Sequence, residues 1–158
     1  MMELLFLLGF SLHNLEEALW LPEWSKHAQK YHKIVSANEF RFAVIIITAL
    51  GYLVTFQYLL FSATCSPAKY IYLGFVLMMV LNVFFPHLVA TAALKRYAPG
   101  TLTGLLLNAP IGMYLLIREI KNTNDLFYSI IAAIIITIIT LVLINFLFKI
   151  GEKIFDQN

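Results

Sequence analysis

The stretch 126–148 holds no acidic, basic or histidine residue and is dominated by isoleucine and leucine. About 20 apolar helical residues cross the roughly 30 Å hydrocarbon core of a bilayer, so this stretch is long enough to be a span. Runs at 1–21, 40–61, 70–94 and 101–117 are also long and mostly apolar, with few ionisable residues. In lipid a spanning backbone must satisfy its own hydrogen bonds, and for such runs that means helices. The expected fold is an all-α polytopic membrane protein, a five-helix transmembrane bundle forming one domain over 1–158. The chain is 61% hydrophobic and 13% charged, and a soluble domain carries about 25% charged residues. A net charge of +2 and the lack of a basic patch interleaved with aromatics exclude nucleic acid as a partner. Cys65 stands alone, so no intrachain disulfide is available. The opening Met-Met-Glu-Leu-Leu lacks the basic start of a signal peptide, and the first run is expected to be a retained helix.

The connectors add detail. Pro22 suits a first helical position, and Trp24, Ala28, Tyr31 and Val35 recur at helical spacing with Lys26, Gln29, Lys30 and Lys33 elsewhere. This predicts a short interfacial amphipathic helix between helices one and two. Ser36-Ala37-Asn38-Glu39 fits the capping box that opens a helix. Pro86 is expected to loosen the third span. Gly100, Gly104, Asn108 and Gly112 form a four-residue stripe of the kind that lets membrane helices approach closely. With the N-terminus outside, eight of the 11 lysines and arginines fall on the cytoplasmic side. The positive-inside rule therefore predicts an outer N-terminus and a cytoplasmic C-terminus. The short chain without a eukaryotic targeting signal suggests the plasma (inner) membrane of a prokaryote.

His13, Glu16 and Glu17 project from one face of the first helix, because steps of three and four residues nearly complete a turn. With alternating helix directions, Glu39, His87 and Asn108 arrive at a similar depth, in the cytoplasmic-leaflet half of the bundle. A charged group inside a span costs about 2.5–3.5 kcal/mol on insertion scales and faces the bundle interior or a wet cavity. The expectation is one shared site. Each member also has a structural reading. Glu17 can snorkel to the surface, Glu39 can serve only as a capping carboxylate, and Asn82 and Asn108 can be packing glue. His87 can satisfy a carbonyl freed by Pro86, and His13 with Glu16 can be a structural pair.

His13-Asn14-Leu15-Glu16-Glu17 reads H-x-x-E-E. Within a small multi-span chain it resembles the HXXEE-domain family of integral membrane proteins. The run Asn82-Val83-Phe84-Phe85-Pro86-His87 and the Pro99-Gly100-Thr101 turn are also similar to that family. The resemblance covers essentially the whole chain. It implies roles for His13, Glu16, Glu17 and His87 and supplies no reaction.

The chemistry of the residues carries the rest. Imidazole and carboxylate together suit one divalent Fe, Mn or Zn. His13, His87 and Glu16 are the expected ligand set, with Glu17 as general base and Glu39 or Asn108 orienting a ligand or water. Such a site would act on a lipid or other apolar small molecule from the surrounding membrane, by hydrolysis, hydroxylation or isomerisation. The same groups without metal allow acid/base isomerisation. Carboxylates and histidines at membrane depth also serve proton-coupled or cation transport, which in a chain without an inverted repeat would call for a homodimer. In a third class, the cluster only holds together a scaffold protein.

Overall fold

The computed structural model describes residues 1–29 and 36–155. Five helices are long and apolar enough to cross a membrane: α1 (Met2–Ser25), α2 (Ala37–Phe61), α3 (Ser66–Leu94), α4 (Thr101–Glu119) and α5 (Thr123–Phe155). No strand occurs among the described residues. The spans fall where the apolar runs place them, and successive helices run antiparallel through short connections. The protein is an all-helical bundle compatible with multiple membrane crossings.

The region after the first span departs from expectation. Pro22 lies inside α1, which continues to Ser25. Proline at 22 lacks the N–H that would bond the carbonyl of Ala18. Arg41 supplies a donor instead, its Nε lying 3.2 Å from that carbonyl oxygen. The separate amphipathic helix therefore does not start at Pro22. Its later part, residues 30–35, lies outside the described residues. Ser36 takes the N-cap position of α2, but its side chain makes no capping bond.

The helices form a closed circuit in the order α1, α2, α5, α3, α4 and back to α1. The small-residue stripe lets α4 wedge between α1 and α3. A Cβ at Gly112 would lie 2.5 Å from Val80 Cγ2, and one at Gly104 would lie 2.9 Å from Val83 Cγ2. Apolar burial gives little drive to helix association in lipid, so contact of this closeness is what holds such a bundle together.

The two ends of the bundle differ. At the end holding the N-terminus, Phe6, Tyr72, Leu73, Val76 and Leu115 are fully buried. Phe75 meets Phe6 and Phe10 in T-shaped contacts, with ring centroids 5.8 and 5.1 Å apart. Polar staples close this end. Arg118 pairs with Glu3 and Glu119, and Lys69 pairs with Asp125 at 3.1 Å. At the other end α5 diverges from α3. A Cβ at Gly74 of α3 would meet Ala132 of α5 at 2.6 Å, whereas the far part of α5 reaches the start of α2, where Phe148 meets Phe40 at 6.3 Å. A cavity of about 1230 Å³ opens inside this half.

Candidate metal centre

Three elements bring the site together. α1 carries His13, Glu16 and Glu17, α3 carries Asn82 and His87, and the turn before α4 supplies Pro99 and Gly100. The Pro86 break shapes α3 here. Phe85 is extended, with φ −132° and ψ 115°, and the chain around it winds as a wide π-type turn over Val83–Leu88. In a regular helix Asn82 and His87, five residues apart, would point about 140° away from each other. The break turns them together, and Asn82 Nδ2 lies 3.0 Å from His87 Nε2.

Both imidazoles are oriented by backbone carbonyls of one turn. His13 Nδ1 donates to the Gly100 carbonyl at 3.0 Å. His87 bonds the backbone of Pro99, which has only a carbonyl to offer. A carbonyl can only accept, so His13 Nδ1 carries hydrogen and its Nε2 presents a lone pair, while His87 Nε2 accepts from Asn82 Nδ2 at 3.0 Å and so presents a lone pair as well. Those lone pairs face Glu17. Its Oε1 is 3.2 Å from His87 Nε2 and 3.9 Å from His13 Nε2. Donor atoms of His13, Glu17 and His87 all lie within 4.8 Å of one another. The side chain of His13 is 1% exposed, that of His87 6% and that of Glu17 17%. Asn82 Nδ2, 3.4 Å from His13 Nε2, is the donor between the two rings.

Glu16 turns the other way, into the start of α4. It accepts from Gly100 N at 2.7 Å, Thr103 N at 3.2 Å and Thr103 Oγ1 at 2.6 Å, and also from the Tyr97 hydroxyl. A carboxylate is favourable there, since backbone N–H groups at a helix N-terminus are otherwise unpaired. Burial and the bond to Glu16 push the Tyr97 phenol up to about 12. Gly100 connects Glu16 to His13, since its N–H goes to Glu16 and its carbonyl takes His13. Its φ of +90° is open to glycine and strained for other residues.

Residues 4–115 match the family described as "Protein of unknown function with HXXEE motif". The chain belongs to the HXXEE family. It is also similar to the uncharacterized protein YrkK of Bacillus subtilis (strain 168), with 47% identity over 150 residues covering 94% of each chain. No solved structure matches. The HXXEE match takes in every residue of the cluster, its positioning turn and most of α4, and it stops before α5.

Against the expected ligand set, the structure brings His13 and His87 together but exchanges the two glutamates of the HXXEE motif. Glu17, expected as a general base or a snorkelling surface residue, faces the histidines. Glu16, expected as a ligand, anchors the turn. Asn108 is buried away from the cluster, with no hydrogen-bond partner among the described residues on either polar atom. It touches α1 instead, where a Cβ at Gly9 would lie 2.9 Å from Asn108 Oδ1. Glu39 packs on α5, its Cγ 3.1 Å from where a Gly151 Cβ would stand. Sequence reasoning assigned Asn82 to packing, and it did not find the carbonyls of Pro99 and Gly100 or the anchors Tyr97 and Thr103. A backbone atom leaves no mark on composition. For Asn82 the one signal was Pro86, four residues on.

Proposed function

We propose that His13, His87 and Glu17 hold one divalent first-row metal ion, and that the protein is a metal-dependent membrane enzyme acting on a lipid-soluble substrate. The observation that carries this reading is the convergence of three acceptors. Two imidazole nitrogens and a carboxylate oxygen, set within 4.8 Å of one another with the rings oriented by Gly100 and Asn82, are placed to share one cation. Ligands about 2.0–2.1 Å from a tetrahedral ion stand about 3.3 Å from one another. The observed 3.2 Å already matches that spacing, the 3.9 Å pair needs a small contraction, and the histidine nitrogens lie within 4.8 Å of each other. Carbonyl partners on the far ring nitrogens are the usual support of metal-binding histidines. Imidazole with carboxylate suits Fe, Mn or Zn. Held by these residues, the cation would serve as a Lewis acid toward a carbonyl or phosphoryl oxygen. Zinc would direct the substrate search to hydrolysis, and iron to oxidative chemistry.

The aromatic packing weighs against transport. Phe6, Tyr72, Leu73 and Val76, all fully buried, fill the bundle between the cluster and the opposite end. The polar atoms buried at this end among the described residues are few, hydroxyls such as that of Tyr72, and they form no continuous polar path. Lysines and arginines concentrate on the end that holds the cavity, which supports a plasma-membrane orientation with that end and the C-terminus cytoplasmic.

Metal analysis of the detergent-purified chain tests the proposal. About one Fe, Mn or Zn per chain is expected, as in sites with a single set of protein ligands. It should be lost in His13→Ala, His87→Ala and Glu17→Gln. A wild-type protein that holds none after reconstitution with each ion overturns it.

A further inference from the structure

The metal cluster lies in the wall of a cavity of about 1230 Å³. Pockets for drug-sized ligands measure about 300–1,000 Å³, so this space admits a larger molecule. Its lining is mostly apolar. Phe10, Val54, Phe75 and Met78 surround one part, and Leu21, Trp24, Phe40 and Phe148 surround another. Its polar side chains gather at His13, Asn14, Glu17, Asn82 and His87, with two threonines of α5 opposite. Phe85 of α3, 72% exposed, and Ile139 of α5, 58% exposed, both line the cavity. They mark a side opening where α5 diverges from α3, at a depth where lipid chains surround the bundle.

One line of α1 runs along this space. Phe10, Glu17 and Trp24 are each seven residues apart, and a heptad step drifts only about 20° around a helix. Each step advances about 10 Å. The indole Nε1 of Trp24 is buried and has no hydrogen-bond partner among the described residues. A buried N–H without an acceptor is costly, and a native site that leaves one open calls for an explanation.

We infer that the cavity takes a long-chain membrane amphiphile. The molecule enters between α3 and α5, lays its chain among Phe10, Val54, Phe75 and Met78, and sets its polar junction against the His/Glu cluster. A head-group oxygen about 10 Å further along accepts from the Trp24 indole. This inference rests on the proposed enzyme reading for its purpose, but binding itself requires no metal.

The test uses the whole chain in vesicles of phosphatidylethanolamine and phosphatidylglycerol. The probe is phosphatidylglycerol carrying a diazirine near the end of one acyl chain. After irradiation, adducts are mapped by mass spectrometry with and without a chelator. Adducts at Val54, Phe75 or Met78, competed by unlabelled lipid, support the inference. Trp24→Phe should lower interior labelling several-fold, in line with loss of one hydrogen bond. Met78→Trp, which narrows the chain region, should remove it. Adducts confined to outward residues of α5 such as Ile131 and Ile138, in a wild-type protein that remains folded, overturn it. Interior labelling in a protein that binds no metal leaves this inference standing and removes the metal reading. Bound metal with labelling only on outward residues does the reverse.

Discussion

Gly100→Ala separates the site from the fold around it. Gly100 sits at φ +90°, and a left-handed conformation costs an L-residue about 1–2 kcal/mol. The added Cβ would lie 2.8 Å from Cε1 of both His13 and His87, and 3.0 Å from His87 Nδ1. Relief to ordinary contact needs both rings to retreat by about half an ångström, and overpacking of this kind costs about 1–3 kcal/mol. The two effects sum to a destabilisation of about 2–5 kcal/mol. The rings that move are the proposed ligands, and disturbing the partner of a metal-binding histidine typically costs 10–100-fold in affinity. Gly104→Ala is the matched control. Its Cβ would lie 2.9 Å from Val83 Cγ2, but its backbone is ordinary right-handed helix and it touches neither histidine. Thermal unfolding followed by helical circular dichroism, beside metal titration of the purified proteins, reads both effects. Gly100→Ala should lose stability and affinity, whereas Gly104→Ala should lose about 1–3 kcal/mol of stability with affinity unchanged. Full metal affinity in a folded Gly100→Ala protein would refute the role given to this turn.

Two further predictions follow from the glutamates and their neighbours. Glu17→Gln should remove the metal and leave thermal stability within about 1 kcal/mol of wild type. Glu16→Gln should lower stability by about 2–4 kcal/mol, because one amide oxygen cannot serve all the donors that meet this carboxylate. Equal stability losses in the two variants, measured metal-free, would remove the distinction. Tyr97 should ionise late. Its phenol pKa is raised in the folded state from 10.0 to about 12, so the fold favours the neutral form. The associated stabilisation is complete below pH 10 and disappears as pH rises towards about 12. Tyrosinate absorbance of wild type minus Tyr97→Phe reads it, and a difference curve centred near pH 10 would contradict the bond to Glu16.

The spans were legible because a bilayer demands a fixed length of apolar helix, and a run such as 126–148 meets that demand in any context. The meeting of His13 with His87 was legible because ionisable groups in lipid seek each other and their depths follow from counting residues. The choice between Glu16 and Glu17 was not. Both lie on the face of His13, and the direction of each depends on which neighbour stands at each side of α1. The end of α1 escaped for a related reason. Pro22 is a helix breaker by its own chemistry, and Arg41, on another helix, satisfies the carbonyl that it leaves open. Asn82 escaped because regular helical spacing separates it from His87, and that spacing fails at Phe85.

The spacing of the motif explains how adjacent glutamates divide the work. On an α-helix the third residue after His13 lies about 60° to one side of it, and the fourth about 40° to the other. Glu16 therefore leans toward α4 and Glu17 toward the cavity. Gly100 closes the arrangement between them, bonding Glu16 through its N–H and His13 through its carbonyl. A carboxylate at 16 alone would fix the turn but leave two lone pairs facing an apolar space. A carboxylate at 17 alone would complete the acceptor cluster on a turn free to shift. The histidine uses both, one to hold the backbone that orients its ring and one to share the proposed cation.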